Sequence, residues 1–272
     1  TPKDTLLTTL QEKTLQLSPK TIETTARTRP IDPEEVNQMT VRQMLEQNYV
    51  REDSLIYNIL ERHPEWKNIA IVNDCTGSMY TYNVEVISWF NLQEQEDSRT
   101  KWFTFFNDGD FTPDKKKRIG KTGGVYMIRT AEFGQAKGVM LQTMMSGGGD
   151  TPENDLEALL MTARTCPSCE QIVLIADASS PIRDLKLIKK YRKKYDIPVR
   201  VVLCGVERGI DPAYMTIAYQ TKGSVHSLHS DLMNLSDVAQ EEEIRIEHHI
   251  FKLFGEAFVL FKREIIKDMR LD

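Results

Sequence analysis

The run Asn73-Asp74-Cys75-Thr76-Gly77-Ser78-Met79 follows an apolar stretch, Ile69-Ala70-Ile71-Val72, and sets a carboxylate and two hydroxyls at alternate positions. At the end of an extended strand such residues point to one side. A turn at Gly77 can then fold Asp74, Thr76 and Ser78 around a point. Their oxygens are hard ligands that suit Mg²⁺ or Mn²⁺, with Ca²⁺ as a further option, better than zinc. An Asp or Ser at this place can also do no more than cap the following helix. Two other segments supply oxygen donors. The apolar run Ile172-Val173-Leu174-Ile175-Ala176 ends in Asp177. The stretch Ser146-Gly147-Gly148-Gly149-Asp150-Thr151-Pro152-Glu153 places two acids, Asp150 and Glu153, ahead of a helical pattern. Its glycines let backbone approach a central site closely. Oxygen donors converging from three separated segments point to a metal centre rather than to independent helix caps.

The elements that must position these residues alternate along the chain. Ile69–Val72 is a continuous apolar run, as expected of a strand buried on both faces. Val84, Ile87 and Phe90 then recur at helical spacing, and Trp102–Phe106 reads as the next strand. Residues 119–129, broken by Lys121-Thr122-Gly123-Gly124, suggest a hairpin or an edge segment. Helical patterns cover roughly 132–145 and 153–165, followed by the strand at 172–176. A basic amphipathic helix over 185–195, a strand over 199–203, a helix over 212–221 and a strand over 224–228 complete the series. Such alternation implies a mostly parallel sheet covered on both faces, with ligands bound beyond the carboxyl ends of its strands. The flanks differ. Residues 1–40, rich in Thr, Lys and Pro, read as an extended arm, and 41–65 as a helical lead-in ended by His63-Pro64. Residues 231–272 carry a two-residue period through Ile244, Ile246, Phe251 and Leu253, which suggests a small β-meander appended to the domain at 66–230.

The Asp-x-Thr-Gly-Ser run after a buried strand resembles the Asp-x-Ser-x-Ser motif of von Willebrand factor A domains, with Thr76 in place of the first serine. Asp177, followed by Ala178, is similar to that family's aspartate after the fourth strand. The resemblance covers roughly residues 66–230. It implies a Rossmann-like α/β fold: a doubly wound, six-stranded sheet in the order 3-2-1-4-5-6, flanked by helices, with Asp74 and Asp177 on neighbouring strands. The middle motif departs from the common pattern. Many members carry Gly-Gly-Thr-x-Thr there, and Gly149 stands where the first threonine would be. Asp150-Thr151-Pro152-Glu153 is instead similar to the Asp-x-Pro-Glu segment of integrin β-subunit domains. That likeness implies Glu153 as a ligand of the central ion, Asp150 as an outer contact or the ligand of a second ion, and Thr151 as the alternative to Glu153. The integrin acids that hold an additional ion just after the first motif are absent; Tyr80 and Tyr82 stand nearby.

Composition narrows the function. The chain has 272 residues, 40% hydrophobic and 28% charged, with a net charge of −5. This balance argues against a general nucleic-acid or anionic-membrane surface. No apolar run reaches the roughly 20 residues of a membrane span. Gly120-Lys121-Thr122 imitates the end of a P-loop, but the Asp114–Arg118 stretch lacks the required earlier glycine. The five histidines are scattered, apart from the pair His248-His249, and no serine stands in a nucleophile elbow. Cys75 and Cys204 read as core residues. Cys166-Pro167-Ser168-Cys169 is compatible with half a zinc site, a redox pair or a local disulfide; the preferred reading is a plain loop between helix and strand.

These observations favour a metal-dependent adhesion or interaction module, not an enzyme, whose cation engages an Asp or Glu of a partner protein. A metal-assisted phosphoester hydrolase and a scaffold with a purely structural ion are the alternatives. The Thr1 start, the Thr-rich arm and the surface-binding habit of the resembled family set an expectation of an exported, envelope-associated protein, with the cytoplasm as the alternative.

Overall fold

A computed structural model describes residues 54–93, 99–149 and 151–264. The expected arm at 1–40, the start of the helical lead-in and Asp150 lie outside the described residues. The rest of the lead-in contains α1 (Leu55–Arg62), which stops where Pro64 forbids helix at the residue before it. Glu85 holds α1 in place: its Oε2 accepts from Ser54 Oγ and Ile56 N, each at 2.9 Å.

The main sheet is built on β1 (Ile69–Asp74), buried at every position. β2 (Thr100–Phe106) and β4 (Gln171–Asp177) flank it, both parallel to it. Beyond β4 lie β5 (Val199–Cys204) and β6 (Ser224–His226), also parallel. Each edge ends in an antiparallel strand: β3 (Val125–Arg129) beside β2, and β7 (Asp231–Leu232) beside β6. The order is β3-β2-β1-β4-β5-β6-β7, so the sheet has seven strands rather than the expected six. The added β7 is only two residues long and leaves no periodic signature in the sequence. The segment 119–129 contributes only β3, its remainder being turn and extended chain.

The two faces of the sheet sort by residue parity, as strand geometry demands. Ile69, Ile71, Phe103, Phe105, Val173 and Ile175 pack against α1, α2 (Tyr80–Gln93) and α3 (Phe133–Met145). Ala70, Val72, Ile172, Leu174, Val201 and Leu203 pack against α4 (Asp155–Thr165), α5 (Ile188–Lys194) and α6 (Pro212–Gln220). The basic segment expected as one helix over 185–195 divides into a 3₁₀ turn, Leu185–Leu187, and α5. The loop from α4 to β4 is closed by a disulfide between Cys166 and Cys169, so the plain-loop reading is corrected. Cys75 and Cys204 are free and buried.

β8 (Glu243–Ile246), β9 (His249–Phe254) and β10 (Ala257–Arg263) form a separate antiparallel sheet in the order β10-β9-β8. It packs on α6: Phe258 N donates to Thr216 Oγ1 at 3.0 Å, and the Tyr219 and Phe258 rings meet edge to face at 5.8 Å. Among the described residues no helix is long and apolar enough to cross a membrane.

One close approach fixes the loop between α3 and α4. Gly148 has φ +88°, and a Cβ there would fall 1.5 Å from the carbonyl oxygen of Asn107. The next residue, Gly149, donates its N–H to that same oxygen at 3.1 Å. Gly148→Ala should therefore cost roughly 2 kcal/mol or more in urea unfolding, through both the clash and the left-handed backbone. Gly138→Ala, inside α3 with nothing within 4 Å of the new Cβ, should gain roughly 0.5–1 kcal/mol. Equal effects of the two substitutions would contradict this account of the loop.

Candidate metal centre

The carboxyl ends of β1 and β4 lie side by side, and the winding of the sheet reverses between them. Asp74 closes β1 and Asp177 closes β4. After Asp74 the chain stays tied to the sheet through Cys75 N, which donates to Phe106 O at 2.7 Å. It then turns through the 3₁₀ segment Gly77–Met79 into α2. Asp74 Oδ1 accepts from Thr76 N at 2.7 Å, which folds the hydroxyl-bearing residues back over the strand end. Glu153 comes from the other side. Its N–H donates to Pro181 O at 2.8 Å and its carbonyl accepts from Arg183 N at 2.7 Å, so the stretch before α4 is fixed to the loop after β4.

Thr76, Ser78, Glu153 and Asp177 line one open cavity of about 410 Å³, together with Gly77, Gly149 and Thr151. Asp74 is fully buried at the strand end, next to Thr76. The structure thus brings together the acids and hydroxyls singled out in the sequence, Asp150 excepted. Thr151, the alternative to Glu153, is exposed at the same cavity. Tyr80 and Tyr82 do not line it: Tyr80 is exposed and Tyr82 is half-buried against the core beneath α2.

Polar atoms in the cavity wall and at the strand end beside it are incompletely satisfied. Asp74 Oδ2, Thr76 Oγ1 and Glu153 Oε2 are buried and have no hydrogen-bond partner. The same holds for both carboxylate oxygens of Asp155 and for Tyr214 Oη, deeper in the core. Burial pushes the Asp74 carboxyl up to about 6. Burial, helped by the negative charges of Asp74, Asp155 and Asp108, pushes Glu153 up to about 11. Asp155 is raised well above its ordinary value by burial and by Asp74 and Asp184. Orphaned buried oxygens normally cost free energy, and a cation beside Thr76 and Glu153 would offset that cost. The donor set, hydroxyl and carboxylate oxygen only, fits a hard divalent ion.

Three features of the cavity were not read from the sequence. Ser179, two residues beyond Asp177, donates to Asp177 Oδ1 through N at 3.0 Å and through Oγ at 2.9 Å. Asp155, two residues beyond Glu153, places a second buried acid behind it. Both adjacencies were visible in the sequence. The third is Arg208, which lines the cavity with its Nη2 3.1 Å from Asp177 Oδ1. It comes from the turn after β5, the strand next to β4, and folds back over Gly205. A Cβ at Gly205 would lie 2.4 Å from Arg208 Nη2.

The raised acids make a pH prediction for the metal-free chain. Asp74 moves from 3.8 to about 6 and Glu153 from 4.5 to about 11 on folding, so the folded state binds more protons than the unfolded one above pH 4. Stability from these groups is present below their unfolded values and is lost as pH rises through the folded ones. Thermal melting in chelator should therefore show this contribution falling between about pH 4 and 6, and further on the alkaline side. Asp74→Asn should flatten the first part of that fall. An identical pH profile for Asp74→Asn and the parent chain would contradict the assignment.

No protein-family model and no curated protein matches the chain, so the functional reading rests on the residues and their geometry.

Proposed function

We propose that the chain is a metal-dependent protein-binding module of the von Willebrand factor A type, with its ligand site at the junction of β1 and β4. The observation that carries this reading is a set of three orphaned buried oxygens: Thr76 Oγ1 and Glu153 Oε2, whose residues line one solvent-open cavity, and Asp74 Oδ2, on the strand end whose other carboxylate oxygen accepts from Thr76 N. Thr76, Ser78 and Glu153 would hold the ion directly, and Asp74 and Asp177 would act mainly through water. Asp177 suits an outer role, because its Oδ1 already accepts from Ser179 and faces Arg208. When bound, Mg²⁺ or Mn²⁺ supplies a positive centre with a position left open to a partner's Asp or Glu carboxylate. Arg208, on the cavity wall, adds a second positive group that favours an anionic partner. The resembled fold family is supported by the strand order around β1 and by the strand-end motifs at Asp74 and Asp177.

Arg208 also favours a second reading, metal-assisted phosphoester hydrolysis, since a guanidinium facing a cation site can clamp a phosphoryl group. Turnover of a generic aryl phosphate with Mg²⁺ or Mn²⁺, abolished by Arg208→Ala and by Asp74→Ala, would favour that reading over the binding module.

Metal binding is tested by melting. Saturating Mg²⁺ or Mn²⁺ should raise the melting temperature over that in chelator; an ion at a hundredfold excess over its Kd adds about 2.7 kcal/mol. Asp74→Ala and Ser78→Ala should remove the response while leaving a cooperative transition. Glu153→Ala should weaken the ion more than Thr151→Ala, and the reverse order would show the middle motif to be misassigned.

Partner binding is tested by pull-down. Capture should vanish in chelator, return with Mg²⁺ or Mn²⁺, and disappear when one acidic residue of the captured protein is changed to its amide. A partner held equally well in chelator and by Ser78→Ala would mean that the ion, if any, is structural.

A further inference from the structure

Outside the carboxylate cavity, the fold gathers two histidines and an aspartate that lie far apart in the sequence. His63 caps the end of α1, His226 ends β6 and Asp231 opens β7. Their potential ligand atoms all lie within 4.8 Å of one another. His63 Nε2 is 3.4 Å from Asp231 Oδ2, and His226 Nδ1 is 2.7 Å from Asp231 Oδ1. The far nitrogen of each ring is already engaged. His63 Nδ1 lies 2.8 Å from Glu65 Oε1, and His226 Nε2 lies 2.6 Å from Ser224 Oγ.

These contacts fix one ring hydrogen of His63. An ionised carboxylate only accepts, so His63 Nδ1 carries the hydrogen that binds Glu65. In the neutral ring Nε2 then offers a lone pair towards Asp231. That Nε2 is buried and makes no hydrogen bond. With a lone pair on Nε2, that nitrogen and the carboxylate oxygen 3.4 Å away repel unless something positive lies between them, a proton or a metal ion. The rings themselves are held by packing. His63 stacks on Trp66 with centroids 4.3 Å apart and planes within 4°, and His226 stands edge-on to both. Arg62 Nη2 donates to Asp231 Oδ1 at 2.7 Å, which fixes the carboxylate and leaves Oδ2 towards His63.

We propose that His63, His226 and Asp231 form a second cation site, chemically distinct from the first, which takes a borderline first-row divalent ion, Zn²⁺ foremost. Two imidazole nitrogens and one carboxylate make a zinc donor set, where the oxygen-only cavity suits magnesium. Ligands bonded to one tetrahedral zinc lie roughly 3.3–3.5 Å apart, and His63 and Asp231 already stand at 3.4 Å. His226 coordinates once its ring hydrogen moves from Nδ1 to Nε2, where Ser224 Oγ receives it. Glu65 and Ser224 then orient the two rings, as outer partners of metal-bound histidines do. Asp231, the partly exposed member, leaves the fourth position to water. A filled site would tie the end of α1 to the edge strand β7.

The test uses the full chain without a histidine tag, stripped with chelator and titrated with Zn²⁺ by calorimetry in excess Mg²⁺. Co²⁺ serves as a visible-absorption probe of nitrogen ligation. The expected result is one equivalent of tightly bound zinc, with a Co²⁺ spectrum of low coordination number. Asp231→Asn and His63→Gln should each weaken zinc at least tenfold, while Asp74→Asn leaves it unchanged. Cooperative melting of each variant shows that it folds, and Asp231→Asn, the least buried change, keeps the test open if His63→Gln does not. No zinc uptake by the parent chain would overturn the proposal. So would uptake that survives both Asp231→Asn and His63→Gln, or uptake abolished by Asp74→Asn.

Discussion

Carboxylates held out of water at the junction of β1 and β4 set the terms for the upper edge of this sheet. Asp74, Glu153 and Asp155 are each 1% exposed or less, and the nearest cationic side chain on the cavity wall, Arg208, faces Asp177 instead. Unpaired charge in such a place is expensive, so the acids rise in pKa rather than stay ionised. The surrounding loops are placed at the same cost. Gly148 must be a glycine for the Asn107 carbonyl to reach Gly149, and at Gly205, whose φ is +69°, a Cβ would displace the Arg208 guanidinium from its present place. A core arranged only for stability would have used apolar side chains here, because buried ionisable groups without partners weaken a fold. Their concentration at the switch point of a parallel sheet is the physical reason to look for a ligand there.

The scaffold below is conventional and separable from that strain. Alternate residues of β1, β2 and β4 feed two cores, one under α1 to α3 and one under α4 to α6. The strand ends therefore project from a rigid plate rather than from a mobile loop. Asp108, outside the cavity lining, shows how buried charge is paired. Asp108 is fully buried, yet its carboxylate accepts from Lys117 at 2.6 Å and is gripped on its other side by Arg183. Arg183 N in turn holds the Glu153 carbonyl, so this paired network fixes one wall of the unpaired one.

What the sequence made legible follows from local physics. Strands buried on both faces need continuous apolar runs, and Ile69–Val72 and Ile172–Ala176 are such runs, each ending in an acid. Helices α3, α4 and α6 follow from their spacing. Some of the features that escaped depend on neighbours distant in the chain, others on local geometry that leaves no period. Arg208 reaches the cavity only because β5 lies next to β4 and Gly205 permits the return. His63 and His226 meet only because α1 packs over the β5–β6 edge, and no spacing in the sequence connects them. β7 is too short to show a period, and the disulfide of Cys166 and Cys169 depends on how tightly the helix end turns into β4. Tyr80 and Tyr82 are near Ser78 in sequence, but neither lines the cavity.

Arg208 decides how an occupant of the cavity would be selected. Its guanidinium is planar and always charged, and at 3.1 Å it shares Asp177 Oδ1 with the two donors of Ser179. An oxygen with three donors is poorly available to an ion as well, which is why Asp177 suits an outer role and Thr76, Ser78 and Glu153 the inner one. On the proposed reading, an arriving carboxylate meets both the ion and the free donors of the Arg208 fork. Part of its charge is then matched by a group that needs no metal. A neutral hydroxyl or amide would gain only the contact to the ion and would leave the guanidinium with its existing partner. The difference between those two cases is a charge-assisted hydrogen bond, roughly twice the strength of a neutral one. Selectivity for an acidic partner would therefore come from the turn after β5 as much as from the ligands in the loops after β1 and before α4.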